Sequence, residues 1–212
     1  MLANWITLIR FPLLVVFLAI LYGGAPSAIA WSVPYLFFLL ALDTLDGVIA
    51  RKRGEASLMG SILDIAADRT YELVLWVSFA GLGLLPIAIP LIVIIRTTLT
   101  DAIRTIGVGK GEAPFQQQRS RLSRFLVTAP IMRSGYSGTK ILAFCGLTLA
   151  HGLSGYPPGS AASAAAGPVL TGSIWMAWVA AAICVLRGLP VISDAFRAYW
   201  NPAKAKKDTP AR

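Results

Sequence analysis

Long apolar runs, separated by short clusters of polar residues, glycine and proline, extend along nearly the whole chain. Read in windows of about 20 residues they predict six membrane-spanning helices, at about 11–24, 31–52, 60–82, 84–106, 134–153 and 172–196. The first is short. Asn4 to Arg10 sets Trp5, Ile6, Leu8 and Ile9 among polar neighbours, as a short interfacial helix leading into that span would, or equally as the start of the span itself. Arg51 to Glu55 reads as a tight turn, and Gly81-Leu82-Gly83 with Pro86 as the next. A polar, basic segment from Gly107 to about Arg133, with a short surface helix near Pro114 to Phe125, separates spans four and five. Gly152 to Gly172, rich in Gly, Ser, Ala and Pro, reads as a flexible loop. The predicted fold is therefore an all-α integral membrane protein. It forms a single membrane domain over residues 1–200, followed by a basic, disordered tail at 201–212, without an internal repeat.

Composition agrees with this pattern: 56% of residues are hydrophobic and 14% charged, with a mean hydropathy of +0.68. A soluble core of 212 residues would need more polar cover. The N-terminus has neither a basic leader nor a small-residue cleavage site, so it reads as retained. Charge orients the spans. All 19 Lys and Arg residues fall in the N-terminal helix, the 51–69 region, the 96–140 region, or the end of span six and its tail. None lies near 24–30, 82–88 or 152–172. Because basic residues accumulate on the cytoplasmic side, both termini are predicted to be cytoplasmic, in a cell or inner membrane. The net charge of +9 then belongs to one membrane face and its lipid and phosphate contacts. Nucleic-acid binding is a poor fit, since no folded basic domain is available to carry it.

Against this apolar background four aspartates stand out, in the pattern Asp43-x2-Asp46-Gly47-x2-Ala50-Arg51-x8-Gly60-x3-Asp64-x3-Asp68. Carboxylates three apart on one helix and four apart on the next can each share a face, so all four can converge. A charge at membrane depth costs roughly 2.5–3.5 kcal/mol on insertion scales and is kept mainly for function. Oxygen-only ligands of this kind suit Mg²⁺ or Mn²⁺, and such ions commonly hold a phosphate or diphosphate. Asp43 lies about a dozen residues into span two, roughly 18 Å from its outer end at 1.5 Å per residue. The cluster thus opens to the cytoplasm while level with lipid, where a water-soluble reactant can meet a lipid-borne one.

At these residues the sequence resembles the CDP-alcohol phosphatidyltransferase family, whose signature matches at every fixed position. Eight identities over 26 residues would arise by chance at roughly one in a billion positions. The resemblance implies transfer of a phosphatidyl group from CDP-diacylglycerol to an alcohol in phospholipid biosynthesis, with release of CMP. It implies that Asp43, Asp46 and Asp64 hold the metal and that Asp68 is the general base, touching a metal as well. Gly47, Ala50 and Gly60 would admit the nucleotide, and Arg51 would offer a planar fork to the diphosphate of the CDP-lipid. A homodimer is also implied.

The acceptor is read from basic residues outside the motif. Arg96 and Arg104 lie eight apart in span four with Asp101 between, and Lys140 lies near the start of span five. They can receive the phosphate of a phosphorylated alcohol, or pair with motif aspartates and snorkel to headgroups. Arg187, before Pro190 in span six, is a further candidate. Asn4-x-Ile6-Thr7-x2-Arg10 resembles the phosphatidylglycerophosphate synthase branch, which uses glycerol 3-phosphate, but Thr97 stands where that branch carries an acidic residue. Inositol phosphate or another polar-headgroup alcohol remains an alternative. A divalent-metal transporter would need a polar path to the far side, and beyond Glu72 the outer halves of the spans hold no charge. A membrane prenyltransferase would separate its aspartate motifs further. Cys145 and Cys184 read as apolar fillers, His151 as interfacial, and Trp31, Trp175, Trp178 and Trp200 as an aromatic belt.

Overall fold

The computed structural model describes residues 2–41, 58–109 and 130–200, and these are helical apart from short turns. The helices are α1 (Leu2–Gly23), α2 (Pro26–Trp31), α3 (33–41), α4 (Leu58–Gly81), α5 (Ala88–Gly109), α6 (Pro130–Ser154) and α7 (Ala161–Trp200). They form two compact units: Met1–Ile87 with Ile141–Met176, and Ala88–Lys140 with Ala177–Arg212. The predicted surface helix near 114–125 and the tail at 201–212 lie outside the described residues.

Two sequence expectations change. Residues 4–10 and the first span are one helix, α1, which runs through Pro12. The absent N–H of Pro12 costs one hydrogen bond, to the carbonyl of Leu8, without ending the helix. The predicted loop at 152–172 shrinks to Gly155–Ser160, because α7 begins at Ala161 and runs for 40 residues. Composition misled here because alanine, counted with Gly, Ser and Pro as loop-like, is the strongest helix former of all. Ala161, Ala162 and Ala164–Ala166 supply that propensity, and the Ser160 hydroxyl accepts from the Ser163 N–H at 3.1 Å, an N-terminal cap. The turn before it relies on Gly159, whose φ of +87° favours glycine.

The first unit is built on an aromatic core. Trp76 and Phe79 of α4 are fully buried, and Phe144 of α6 lies with its centroid 4.6 Å from Trp76, edge-on, and 5.7 Å from Phe79, stacked. Phe17 and Leu21 of α1 and Leu36 and Leu39 of α3 are also fully buried. Two phenol groups tie helices together: Tyr35 Oη donates to the Leu13 carbonyl at 2.8 Å, and Tyr22 Oη to the Ser78 carbonyl at 3.1 Å. Gly152 allows α6 to approach the Ala30 backbone so closely that a Cβ there would lie 2.6 Å from the Ala30 nitrogen.

In the second unit, α5 buries Ile89, Val93, Thr97 and Thr100, a repeat of three and four that marks one helix face. The matching part of α7 buries Ala177, Ala180, Ala181, Cys184, Gly188 and Val191, a face of mostly small residues. Both units expose large apolar side chains, among them Val15 at 64%, Phe37 at 55%, Ile95 at 58% and Leu189 at 53%. Solvent-facing surfaces rarely carry so many together. Among the described residues, Ala161–Ser193 is long and apolar enough to cross a membrane, and only 28% of its most apolar window is buried. That exposure separates it from the core helix of a soluble protein. Trp31, Trp175 and Trp200 are 80%, 66% and 72% exposed. Cys145 and Cys184 are free thiols, half-buried and buried.

Candidate active site

The part of the aspartate motif that lies on α4 is set by helix geometry. Gly60, Asp64 and Asp68 follow at intervals of four, so they stack along one face with about 6 Å of rise between neighbours. Asp68 is half-buried. The side chain of Asp64 lies outside the described part of the structure, as do Asp43, Asp46, Gly47, Ala50 and Arg51 altogether. Among the described residues, which include the side chain of Asp68 alone of the four aspartates, no three carboxylate, imidazole or thiol groups gather.

Charge continues along this face beyond the motif. Glu72, one further turn on, is only 3% exposed, and Arg69 Nη1 stands 3.8 Å from Glu72 Oε2. From α1, Arg10 is 1% exposed, with its Cζ 4.7 Å from the centre of the Tyr71 ring. Phe11 lies 5.7 Å from the same ring. Arg10 and Glu72 are thus buried where α1 meets α4, with Arg69 beside Glu72 and half-buried Asp68 one turn back on the helix. Burying one of these charges alone would be costly; neighbours of opposite sign and a π face offset that cost. The Tyr71 hydroxyl is buried with no hydrogen-bond partner among the described residues.

The acceptor candidates fall in the second unit. Arg96 on α5 is half-buried, and its stem crosses Gly188 of α7, where a Cβ would stand 2.6 Å from Arg96 Nε. That Nε is buried with no hydrogen-bond partner among the described residues. Lys140 Nζ lies 4.6 Å from the centre of the Tyr136 ring, one turn back on α6. Arg187, adjacent to Gly188, brings its Cζ to 5.7 Å from the same ring. Tyr136 is only 6% exposed. The structure therefore brings Lys140 and Arg187 to one ring, and lays the Arg96 stem against the glycine that follows Arg187. Arg104 lies on α5, its side chain outside the described part.

Sequence reasoning passed over Tyr136 and Gly188. Tyr136 carries one local signal, an aromatic residue four positions before a lysine in a helix, but the same spacing is common in structural pairs. Gly188 carries none, because only the fold brings Arg96 against it. Thr97, the departure from the expected acidic residue, is 4% exposed with its hydroxyl unpartnered among the described residues. Thr100 beside it donates to the carbonyls of Arg96 and Thr97, both at 3.0 Å.

Comparison with known proteins fits this picture. The sequence profile of the CDP-alcohol phosphatidyltransferase family matches residues 1–150, a stretch that holds the whole aspartate motif. The chain is 32% identical over 116 residues to a protein from Mycobacterium tuberculosis named probable phosphatidylglycerophosphate synthase, a match covering 53% of this chain and 56% of the relative. It is 33% identical over 76 residues to a protein from Streptomyces coelicolor named cardiolipin synthase (CMP-forming), covering 36% of this chain and 35% of that one. The chain thus spans about half the length of the first relative and a third of the second. With the profile covering more than two thirds of its residues and every fixed position of the motif in place, the chain belongs to the CDP-alcohol phosphatidyltransferase family.

Proposed function

We propose that the protein transfers a phosphatidyl group from CDP-diacylglycerol to the hydroxyl of a phosphorylated alcohol, releasing CMP. Glycerol 3-phosphate is the favoured acceptor, giving phosphatidylglycerophosphate. The observation that carries this reading is the complete motif lying inside the family match. Asp43, Asp46, Asp64 and Asp68 would hold Mg²⁺ or Mn²⁺, which when bound neutralises the diphosphate and the charge on departing CMP. Gly47, Ala50 and Gly60 leave room for the nucleotide, and Arg51 pairs with the diphosphate.

The Asp68 carboxylate takes the proton of the acceptor hydroxyl as its oxygen attacks the phosphorus that bears the diacylglycerol. The phosphorus–oxygen bond to CMP breaks, and CMP leaves with the electron pair. Arg96, Arg104, Lys140 and Arg187 pair with the phosphate of the acceptor and hold its free hydroxyl in line. The placement of Lys140 and Arg187 at one buried ring supports a phosphorylated acceptor over a neutral or zwitterionic one.

We place this reaction at the cytoplasmic face of a cell or inner membrane, in a six-span homodimer with both termini inside. Among the described residues Ala161–Ser193 supports spanning by length and composition, and α1, α4, α5 and α6 have the length alone, each extending about 33–38 Å. A second reading, cardiolipin formation with release of CMP, draws on the Streptomyces coelicolor relative. The test is purified protein with CDP-diacylglycerol, Mg²⁺ and a panel of acceptors, following CMP and identifying the lipid formed. Phosphatidylglycerophosphate supports the reading, cardiolipin the second one, and a lack of CMP with every acceptor overturns both.

A further inference from the structure

Gly188 stands in the middle of α7, where glycine is less favourable than alanine, and its φ lies outside the left-handed region that would call for glycine. Close approach explains it instead. A Cβ at this position would lie 2.6 Å from Nε, 2.8 Å from Cγ and 3.2 Å from Cδ of Arg96. Two of these distances are below any real carbon contact, and they involve the middle of the side chain. A flexible tip can step aside, but clearing Cγ, Cδ and Nε together requires a new rotamer and carries the guanidinium away. The missing side chain of Gly188 is therefore the groove in which the arginine stem lies.

We propose that Gly188 is a positioning residue that fixes the guanidinium of Arg96 for the acceptor phosphate, an inference that rests on the proposed role of Arg96 as a phosphate-binding group. Two observations join here. The Nε donor of Arg96 is buried with no hydrogen-bond partner among the described residues, the condition of a group that an incoming oxyanion would satisfy. Gly188 also follows Arg187 directly, so the same turn of α7 that seats Arg96 sends Arg187 to the Tyr136 ring.

The test compares wild-type protein, Gly188→Ala, Arg96→Ala and the double variant, each purified full length, in CMP release with CDP-diacylglycerol, Mg²⁺ and glycerol 3-phosphate. Arg96→Ala raises the KM for glycerol 3-phosphate roughly 10-fold to 100-fold. Gly188→Ala raises the same KM roughly 10-fold and leaves the KM for CDP-diacylglycerol within about 2-fold, and any fall in melting temperature it causes is relieved in the Arg96→Ala background. In the Arg96→Ala background the new methyl meets no arginine, so Gly188→Ala adds less than about 2-fold. A Gly188→Ala protein with unchanged acceptor KM overturns the positioning role. So does an effect that multiplies onto Arg96→Ala, or one equal for donor and acceptor. If Arg96→Ala itself leaves the acceptor KM unchanged, the fault lies with the phosphate-binding role of Arg96.

Discussion

The α4 face in the first unit and the cation group in the second handle buried charge in opposite ways. On α4, Arg69 stands beside buried Glu72, and Arg10 of α1 is buried against the Tyr71 ring, so charges of both signs are interspersed. In the second unit, Lys140 and Arg187 flank one tyrosine ring and Arg96 lies over the glycine next to Arg187. Mixed charge suits a face that must stay organised whether or not a cation is bound to it. The cation group lies beside a π face and small residues, where the phosphate of the acceptor is proposed to bind. Under the proposed function, metal and donor chemistry fall to the aspartate motif and acceptor recognition to the cation group.

The largest expected effect breaks the first side of this contrast. Asp68→Asn keeps the size of the side chain and removes the base, so CMP release falls roughly 10²- to 10⁴-fold. Equilibrium binding of CDP-diacylglycerol changes little, and wild-type turnover would remove Asp68 as base. Trp76→Ala acts on the same unit by another route. It empties the space beside Phe144 and costs about 3–5 kcal/mol, read as a lower unfolding midpoint in detergent without preference for donor or acceptor KM. The second side responds more selectively. Lys140→Ala raises the acceptor KM roughly 10-fold, through loss of a charge-assisted hydrogen bond, and leaves the donor KM in place.

Tyr136→Leu gives the smallest effect. Loss of a ring contact worth about 0.5–2 kcal/mol raises acceptor KM a few-fold, and Tyr136→Phe, which keeps the ring, stays near wild type. Equal losses for leucine and phenylalanine would show that the hydroxyl, rather than the π face, matters.

Much of α4 was legible from sequence, because the predicted span at 60–82 and the helix Leu58–Gly81 follow from one largely apolar stretch whose charges, Asp64, Asp68, Arg69 and Glu72, keep helical spacing. The stacking of Asp64 and Asp68 follows from spacing alone. The start of α7 was not legible, since an alanine-rich stretch broken by Gly167 and Pro168 has the composition of a loop and the propensity of a helix. The cation group was legible in part. Arg96, Lys140 and Arg187 stood out as charges in apolar runs, whereas Tyr136 and Gly188 acquire meaning only through contacts between helices far apart in sequence. Local spacing reports which residues share a face; it carries no information about what crosses that face from another helix.

The division of labour is tested most directly by one paired rate. CMP release from CDP-diacylglycerol with Mg²⁺ is measured with glycerol 3-phosphate and, separately, with unphosphorylated glycerol at equal concentration. Recognition of the phosphate by the second unit predicts at least roughly 100-fold faster release with glycerol 3-phosphate, given two or more charge-assisted contacts. Equal rates with the two alcohols would contradict it.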